Sequence, residues 1–297
     1  MKDFSFWEEY EGVSEGSGRS EKIWLQNPDT GQTGLFKFKK DAGTTDHVSE
    51  CIAYKIAQLL ELPCAKFELG MYQGREGSMS YNIIEHTDQI LVEGIYFITL
   101  FYPEYNSEQF FDSDSQDKYS VEMVIKSIEP FVPIESFLKM LIFDYLIGNS
   151  DRHQNNWAIL LEGDKRKWSP LYDNSSSLCA YISEEQIGSY LGKDKKRWNA
   201  LVDTKSKSLL RCKVSDEKRP THLTVLKYMK ENYFAETNRF AEKIISVMTE
   251  EQIYDILDQY SAAELSANKK KLISKYLLAK RQILMEVYFG KEGFCVN

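Results

Sequence analysis

Apolar and polar positions alternate most clearly in the first ninety residues. "KIWLQN" (22–27) and "TGLFKFKK" (33–40) are short runs separated by "PDTGQT", whose Pro, Asp and Gly favour a turn. A β-hairpin is expected there. The next pattern is helical: "HVSECIAYKIAQLLEL" sets Val48, Cys51, Ile52, Ile56, Leu59 and Leu60 on one face, and Pro63 stops it. "CAKFELGMYQGREGSMSYNII" (64–84) predicts a second strand pair turning at "QGREG". Residues 101–119 are acidic, aromatic and rich in turn formers, as in an insertion or a connection. Beyond them helical patterns dominate. "IESFLKMLIFDYLIG" is an apolar helix with Gly148 as its cap, and helices follow near 183–191, 221–233 and 235–247, with two more over 249–289. "TEEQ" (249–252) resembles a capping box. Two short strands, "NWAILLE" and "RKWSPLYD", flank the turn "GDKR". The chain therefore predicts a small β-rich part followed by a larger α-rich part.

The polar loop "GNSDRHQNNW" (148–157) is fixed at one end by the apolar helix and at the other by a strand. Asp151 and Asn156 have four residues between them within it, the separation at which protein kinases carry a catalytic base and a metal-binding amide. A magnesium site needs a further oxygen ligand. Asp173, at the far end of the predicted hairpin, returns to the level of the loop. In "GLFKFKK", Lys37 and Lys39 share the face opposite Phe36 and Phe38, so one lysine can reach phosphates. Glu50, thirteen residues past Lys37, can orient it from the first long helix. "EGSGRSEKIW" puts Gly and Ser just before a strand, as a phosphate-covering loop requires. His153 reads as a brace for its loop. Trp24, Trp157 and Trp168 read as core rather than as nucleotide-stacking groups. Lys218 and Arg219 read as a helix lead-in ended by Pro220.

The set "GSGRSEK", "LFKF", "SECIAYKIAQLLELP", "GNSDRHQNNW" and "PLYDNSS" resembles the HipA-like serine/threonine kinases over about residues 12–180, most of all the compact stand-alone CtkA-type members. The resemblance implies an α+β, two-lobed protein-kinase-like fold. Its N-lobe (1–100) would carry the phosphate loop, lysine strand and αC-like helix. A connecting segment (101–130) and an α-helical C-lobe (131–297) would follow. It implies ATP and Mg²⁺, with Asp151 as catalytic base, His153 bracing it, Asn156 and Asp173 as metal ligands, and Lys37 on the ATP phosphates paired with Glu50. Gly16, Ser17, Gly18 and Ser20 fall in the phosphate loop. Family members inactivate themselves by phosphorylating a serine there, for which Ser14, Ser17 and Ser20 are the candidates. A protein substrate is implied, and an antitoxin-like partner where the member is a toxin. The phosphate loop begins near residue 12, so the extra N-terminal subdomain of full HipA is not expected. No glycine follows Asp173, so a D-F-G type switch is not expected either. Phosphatidylinositol kinases share the D-R-H order, which leaves a lipid kinase open, as does a binding-only pseudokinase from another class.

Composition trims this picture. The 297 residues are 42% hydrophobic and 28% charged, enough for sizeable cores. A formal charge of −8 argues against a general nucleic-acid binder, which needs clustered Lys and Arg. The short basic runs "KDKKR" (193–197) and "NKKK" (268–271) read as solvated faces. Five cysteines, widely spaced and without a C-x-x-C pair, fit reduced thiols in a cytoplasmic protein rather than a disulfide frame or zinc site. "MKDFSFWEEYEG" has no apolar signal core, and no run approaches the ~18 apolar residues of a membrane span. Secretion by a signal-less route stays compatible with this.

Overall fold

The computed structural model describes residues 1–11 and 21–290. Its elements run β1 (Lys2–Asp3), β2 (Glu8–Glu9), β3 (Lys22–Gln26), β4 (Thr33–Phe38), α1 (Asp46–Leu59), β5 (Phe67–Tyr72), β6 (Arg75–Tyr81), β7 (Gln89–Glu93) and α2 (Gly94–Phe101). Then come β8 (Tyr105–Asn106), β9 (Phe111–Asp112), α3 (Val121–Ile128), α4 (Glu135–Ile147), β10 (Ala158–Glu162) and β11 (Lys165–Trp168). The rest is helical: α5 (Glu184–Leu191), α6 (Lys195–Asn199), a π-helical turn (Ala200–Thr204), α7 (His222–Asn232), α8 (Phe234–Val247), α9 (Glu250–Asp258) and α10 (Ala267–Phe289).

Both expected strand pairs form and join one sheet, ordered β1-β5-β6-β4-β3-β2. Only β1 runs parallel to its neighbour β5. On β4 burial alternates, so Phe36 and Phe38 enter an aromatic cluster with Phe4, Trp7, Tyr72 and Tyr81. Lys37 necessarily points to the opposite face. Its neighbours in register are Lys22 on β3 and Ser78 on β6. Gly77 on β6 leaves room for the Phe36 ring, which a Cβ there would meet.

Helix α1 packs beside β5 and β6, and its apolar face belongs to a second, larger core built mainly from the helical half of the chain. Helix α4 is the centre of that core. It is apolar almost all round, as buried helices are, and Phe137, Leu141, Phe143 and Leu146 are among its buried side chains. The helices expected near 183–191, 221–233 and 235–247 appear as α5, α7 and α8. Thr249 caps α9 by accepting from Gln252 N–H.

Several elements escaped the sequence pattern, β7, α2 and α3 among them. The apolar run over 90–101 holds β7 and α2 back to back, so no single period describes it. Strand β7 pairs with β10, which makes a separate three-stranded sheet with β11. Helix α3 is short and lies at the edge of the 101–119 segment. That segment folds over the helical core as the two-stranded β8–β9 ladder. Of the two basic runs, 193–197 is exposed as expected. In 268–271, however, Lys269 is buried and donates to the carbonyls of Cys179 and Ile182 at 2.7 and 2.6 Å. A lysine that satisfies two main-chain oxygens in a chain reversal can be buried despite its charge. Among the described residues no helix is long and apolar enough to cross a membrane.

Candidate active site

The 148–157 loop begins where α4 ends. Gly148 takes the left-handed conformation (φ 70°), and a Cβ there would strike the Tyr276 hydroxyl of α10. The glycine is thus required both by its backbone and by close approach. The loop then folds on itself. Asp151 N–H donates to Asn149 Oδ1 at 3.2 Å, and Asn156 Nδ2 donates to the Asp151 carbonyl at 2.7 Å. His153 N–H donates to the same Asp151 carbonyl at 2.9 Å, and His153 Nδ1 accepts from Asn155 N–H at 3.2 Å. The imidazole therefore makes a hydrogen bond within its own loop.

Arg152 does most of the tying. It is buried, and Nε and Nη2 grip both oxygens of Asp144 on α4 at 2.9 and 2.8 Å. Nη1 donates to the carbonyls of Asn156 and Tyr172, both at 2.8 Å, and Nη2 reaches Asn174 Oδ1 at 2.7 Å. One guanidinium thus clamps the loop to the segment that carries Asp173. Sequence reading passed over Arg152. The signal was Asp144, a carboxylate within an otherwise apolar helix that needed a buried partner. Arg219 was also underrated: it donates to the carbonyls of Ser208 and Ser150, at 3.2 and 3.1 Å, and so holds the loop from outside.

Lys37, Glu50 and Asp173 come from β4, α1 and the segment after β11, and they meet. Lys37 Nζ lies 3.2 Å from Glu50 Oε1 and 3.1 Å from Asp173 Oδ1. Glu50 Oε2 also accepts from Asn174 N–H at 2.9 Å, so one buried carboxylate orients both the lysine and the turn beside Asp173. Asp173 itself has a positive φ of 54°.

Burial alone would raise the Asp173 carboxyl, but the Lys37 ammonium outweighs it and holds the group down at about 2. Burial would likewise lower Lys37, yet Asp173 and Glu50 keep its pKa above the ordinary value. Glu50 is pushed up by burial, with Lys37 opposing. Asp151 is raised by burial and by Asp173, against the pull of His153.

These side chains line a cleft of about 970 Å³. Lys37, Lys40 and Glu50 contribute from one side, and Asp151, His153 and Asp173 from the other. Residues 107–110, from the expected connecting segment, form a further wall, pinned by Gln154 Nε2 donating to the Ser107 carbonyl at 3.2 Å. Trp24, Trp157 and Trp168 do not line it; Trp157 and Trp168 stack on each other, 5.3 Å between centroids. Among the described residues no three His, Cys, Asp or Glu side chains converge as a metal cage. Of the two expected metal ligands, Asp173 lines the cleft, whereas Asn156 is buried in the loop and does not line it. Gly16, Gly18, Ser14, Ser17 and Ser20 lie outside the described residues.

Residues 14–264 match the family model described as the HipA-like C-terminal domain. A crystal structure of the Helicobacter pylori proinflammatory kinase CtkA superposes with a TM-score of 0.81 at 20% identity, covering 97% of this chain and 96% of that one. HipA of Shewanella oneidensis MR-1, solved as a toxin–antitoxin complex with HipB and operator DNA, gives a TM-score of 0.56 at 10% identity, covering 98% of this chain and 70% of that one. No curated protein sequence matches the chain.

Proposed function

Because the chain belongs to the HipA-like C-terminal domain family, we propose that it is an ATP- and Mg²⁺-dependent serine/threonine protein kinase with ATP held between two lobes. The observation that carries the reading is the three-way meeting of Lys37, Glu50 and Asp173 beside the Arg152-clamped loop. A lysine fixed by a helix carboxylate, an ionised aspartate and a loop aspartate are the parts that phosphoryl transfer requires, and here they share one cleft.

Each side chain then has a task. Lys37, always charged here, binds the phosphates, and Glu50 holds it in place while giving up little of its own mobility on α1. Asp151 accepts the proton of the acceptor hydroxyl; its raised pKa makes it a better base than a solvated aspartate. Asp173, ionised down to about pH 2, and the Asn156 amide would hold Mg²⁺. Mg²⁺ commonly takes one or two such ligands and completes its shell with phosphate oxygens and water, so this donor set fits it. When bound, the ion neutralises charge on the transferred phosphoryl group. Arg152 and His153 position the loop rather than touch the substrate.

The N-lobe (1–100), connecting segment (101–130) and C-lobe (131–297) are proposed on the same grounds. So is self-phosphorylation at Ser14, Ser17 or Ser20. The kinase CtkA and the HipB-bound toxin HipA are both relatives in fold, so an antitoxin-like partner is compatible with the family. Incubating the protein with Mg·ATP and mapping phosphate by mass spectrometry tests the proposal. A phosphoserine within residues 14–20 is the expected product; a chain unmodified on itself and on lysate proteins would refute it.

A further inference from the structure

The start of the 148–157 loop rests on a buried polar chain that the proposed chemistry does not use. His222, the first residue of α7, places Nε2 2.7 Å from the Asn149 carbonyl. Its Nδ1 lies 3.0 Å from Ser206 Oγ, and Ser206 Oγ lies 3.0 Å from Lys280 Nζ on α10. All three side chains are buried, Lys280 completely. Tyr276, also on α10, joins this arrangement to the loop: its hydroxyl lies 3.3 Å from Ser206 Oγ and fills the space a Gly148 side chain would need.

The donors and acceptors fall in one order. A carbonyl only accepts, so His222 Nε2 carries the hydrogen. Burial, with Lys280 nearby, lowers His222 to about 3, so the ring is neutral and Nδ1 accepts. Ser206 must then donate to Nδ1 and accept from Lys280. We propose that Lys280, Ser206 and His222 form a directional hydrogen-bond relay that fixes the Asn149 carbonyl and thereby positions Asp151, with His222 as the positioning residue. The inference rests on the assignment of Asp151 as base. It adds a residue set, 55 to 129 positions downstream of that base by number, that controls it.

Lys280 gives the relay a direction only while it is an ammonium. Among the described residues no carboxylate is bonded to it; it lies over the Tyr145 and Tyr276 rings, 4.5 and 5.3 Å from their centroids. Burial lowers it to about 7, with Asp203 and Cys179 pulling it back up, while neutral His222 and the raised Tyr145 and Tyr276 hydroxyls face it uncharged. Once deprotonated, its amine competes with His222 Nδ1 for the Ser206 hydroxyl hydrogen. Loop order then weakens as the pH rises through about 7.

The test pairs hydrogen–deuterium exchange over 148–157 with self-phosphorylation rates, in the full chain, for H222A, H222Q, S206A, K280M and D151N. H222A and S206A are expected to speed exchange of the loop amides, and to lower the transfer rate about tenfold to a hundredfold, with the KM for ATP within about twofold. H222Q, whose amide can still donate to Asn149, restores most of the rate. K280M abolishes the fall in rate on the alkaline side. Loop exchange and rate profile unchanged in H222A and S206A, with D151N inactive, overturn the relay. Should H222A not fold, S206A and K280M carry the same readouts. An active D151N instead overturns the role of Asp151, while faster loop exchange in S206A still supports the relay as the loop's support.

Discussion

Lys37 and Asp173 are 136 positions apart in number, yet their charged atoms lie 3.1 Å from each other. Neither end of that contact can be moved independently. Lys37 is set by the alternation of β4, and Asp173 by the turn that Glu50 and Arg152 hold on either side. K37M removes the cation and leaves two carboxylates, Glu50 and Asp173, facing the same space. Transfer activity is expected to fall at least ~100-fold, since one preorganised charge on the phosphates is lost. Stability falls too, and this part depends on pH. The depressed Asp173 contributes stability above its unfolded value near ~3.9, and that contribution is lost as the pH falls toward about 2. Urea unfolding of K37M and the unsubstituted protein should therefore converge in acid and diverge near neutrality.

Arg152 is the residue whose loss should cost the fold most. Its five hydrogen bonds are all to buried or partly buried groups, and among the described residues Asp144 has no other cation bonded to it. R152M leaves an uncompensated carboxylate inside α4 and is expected to cost about 3–5 kcal/mol, read as a drop in denaturation midpoint. The double variant R152M/D144L removes both charges and should recover much of that loss. No recovery would mean that the main-chain contacts of Arg152, rather than its ion pair, dominate.

Lys37 and Arg152 mark the boundary between what the sequence made legible and what it hid. Lys37, Glu50, Asp151 and Asp173 could be read because each stands in a local pattern whose geometry is nearly forced: an alternating strand, a helix start, a loop between fixed ends and a hairpin return. Arg152 lies within the same motif but looks like any solvated loop arginine, since only the fold reveals that Asp144 faces it. Lys269 and Lys280 were harder still. On a long helix a lysine reads as surface, and nothing local shows that distant carbonyls or hydroxyls will cover it. Strand β7 and helix α2 were hidden for another reason, because both faces of each are apolar enough to erase the period.

The acid limb of activity should report Asp151. Burial raises its carboxyl and the neighbouring His153 ring pulls it down, so the folded value lies above the ordinary one and the base becomes protonated as the pH falls through that raised value. In H153Q the opposing pull is gone. Its kcat–pH profile is expected to shift toward higher pH on the acid side, with the neutral rate lowered only a few-fold. A profile identical to that of the unsubstituted protein would detach His153 from the base.

Gly148 admits no side chain on two counts, its φ of 70° and the Tyr276 hydroxyl against it. G148A is expected to cost roughly 1–3 kcal/mol of stability and to slow transfer by moving the loop start. Pairing it with Y276F relieves only part of the clash, so thermal denaturation of the double variant should stay below that of Y276F alone. G148A with unchanged stability would contradict the packing of α10 on the loop.

The most direct test of the kinase reading is transfer of the γ-phosphate from labelled Mg·ATP to the chain itself, compared between the unsubstituted protein and D151N. The account predicts label in serine for the unsubstituted protein, abolished by chelating the metal, restored by Mg²⁺, and reduced at least ~100-fold in D151N while ATP binding measured by calorimetry persists. Equal labelling of D151N, or binding of Mg·ATP by neither protein, would contradict it.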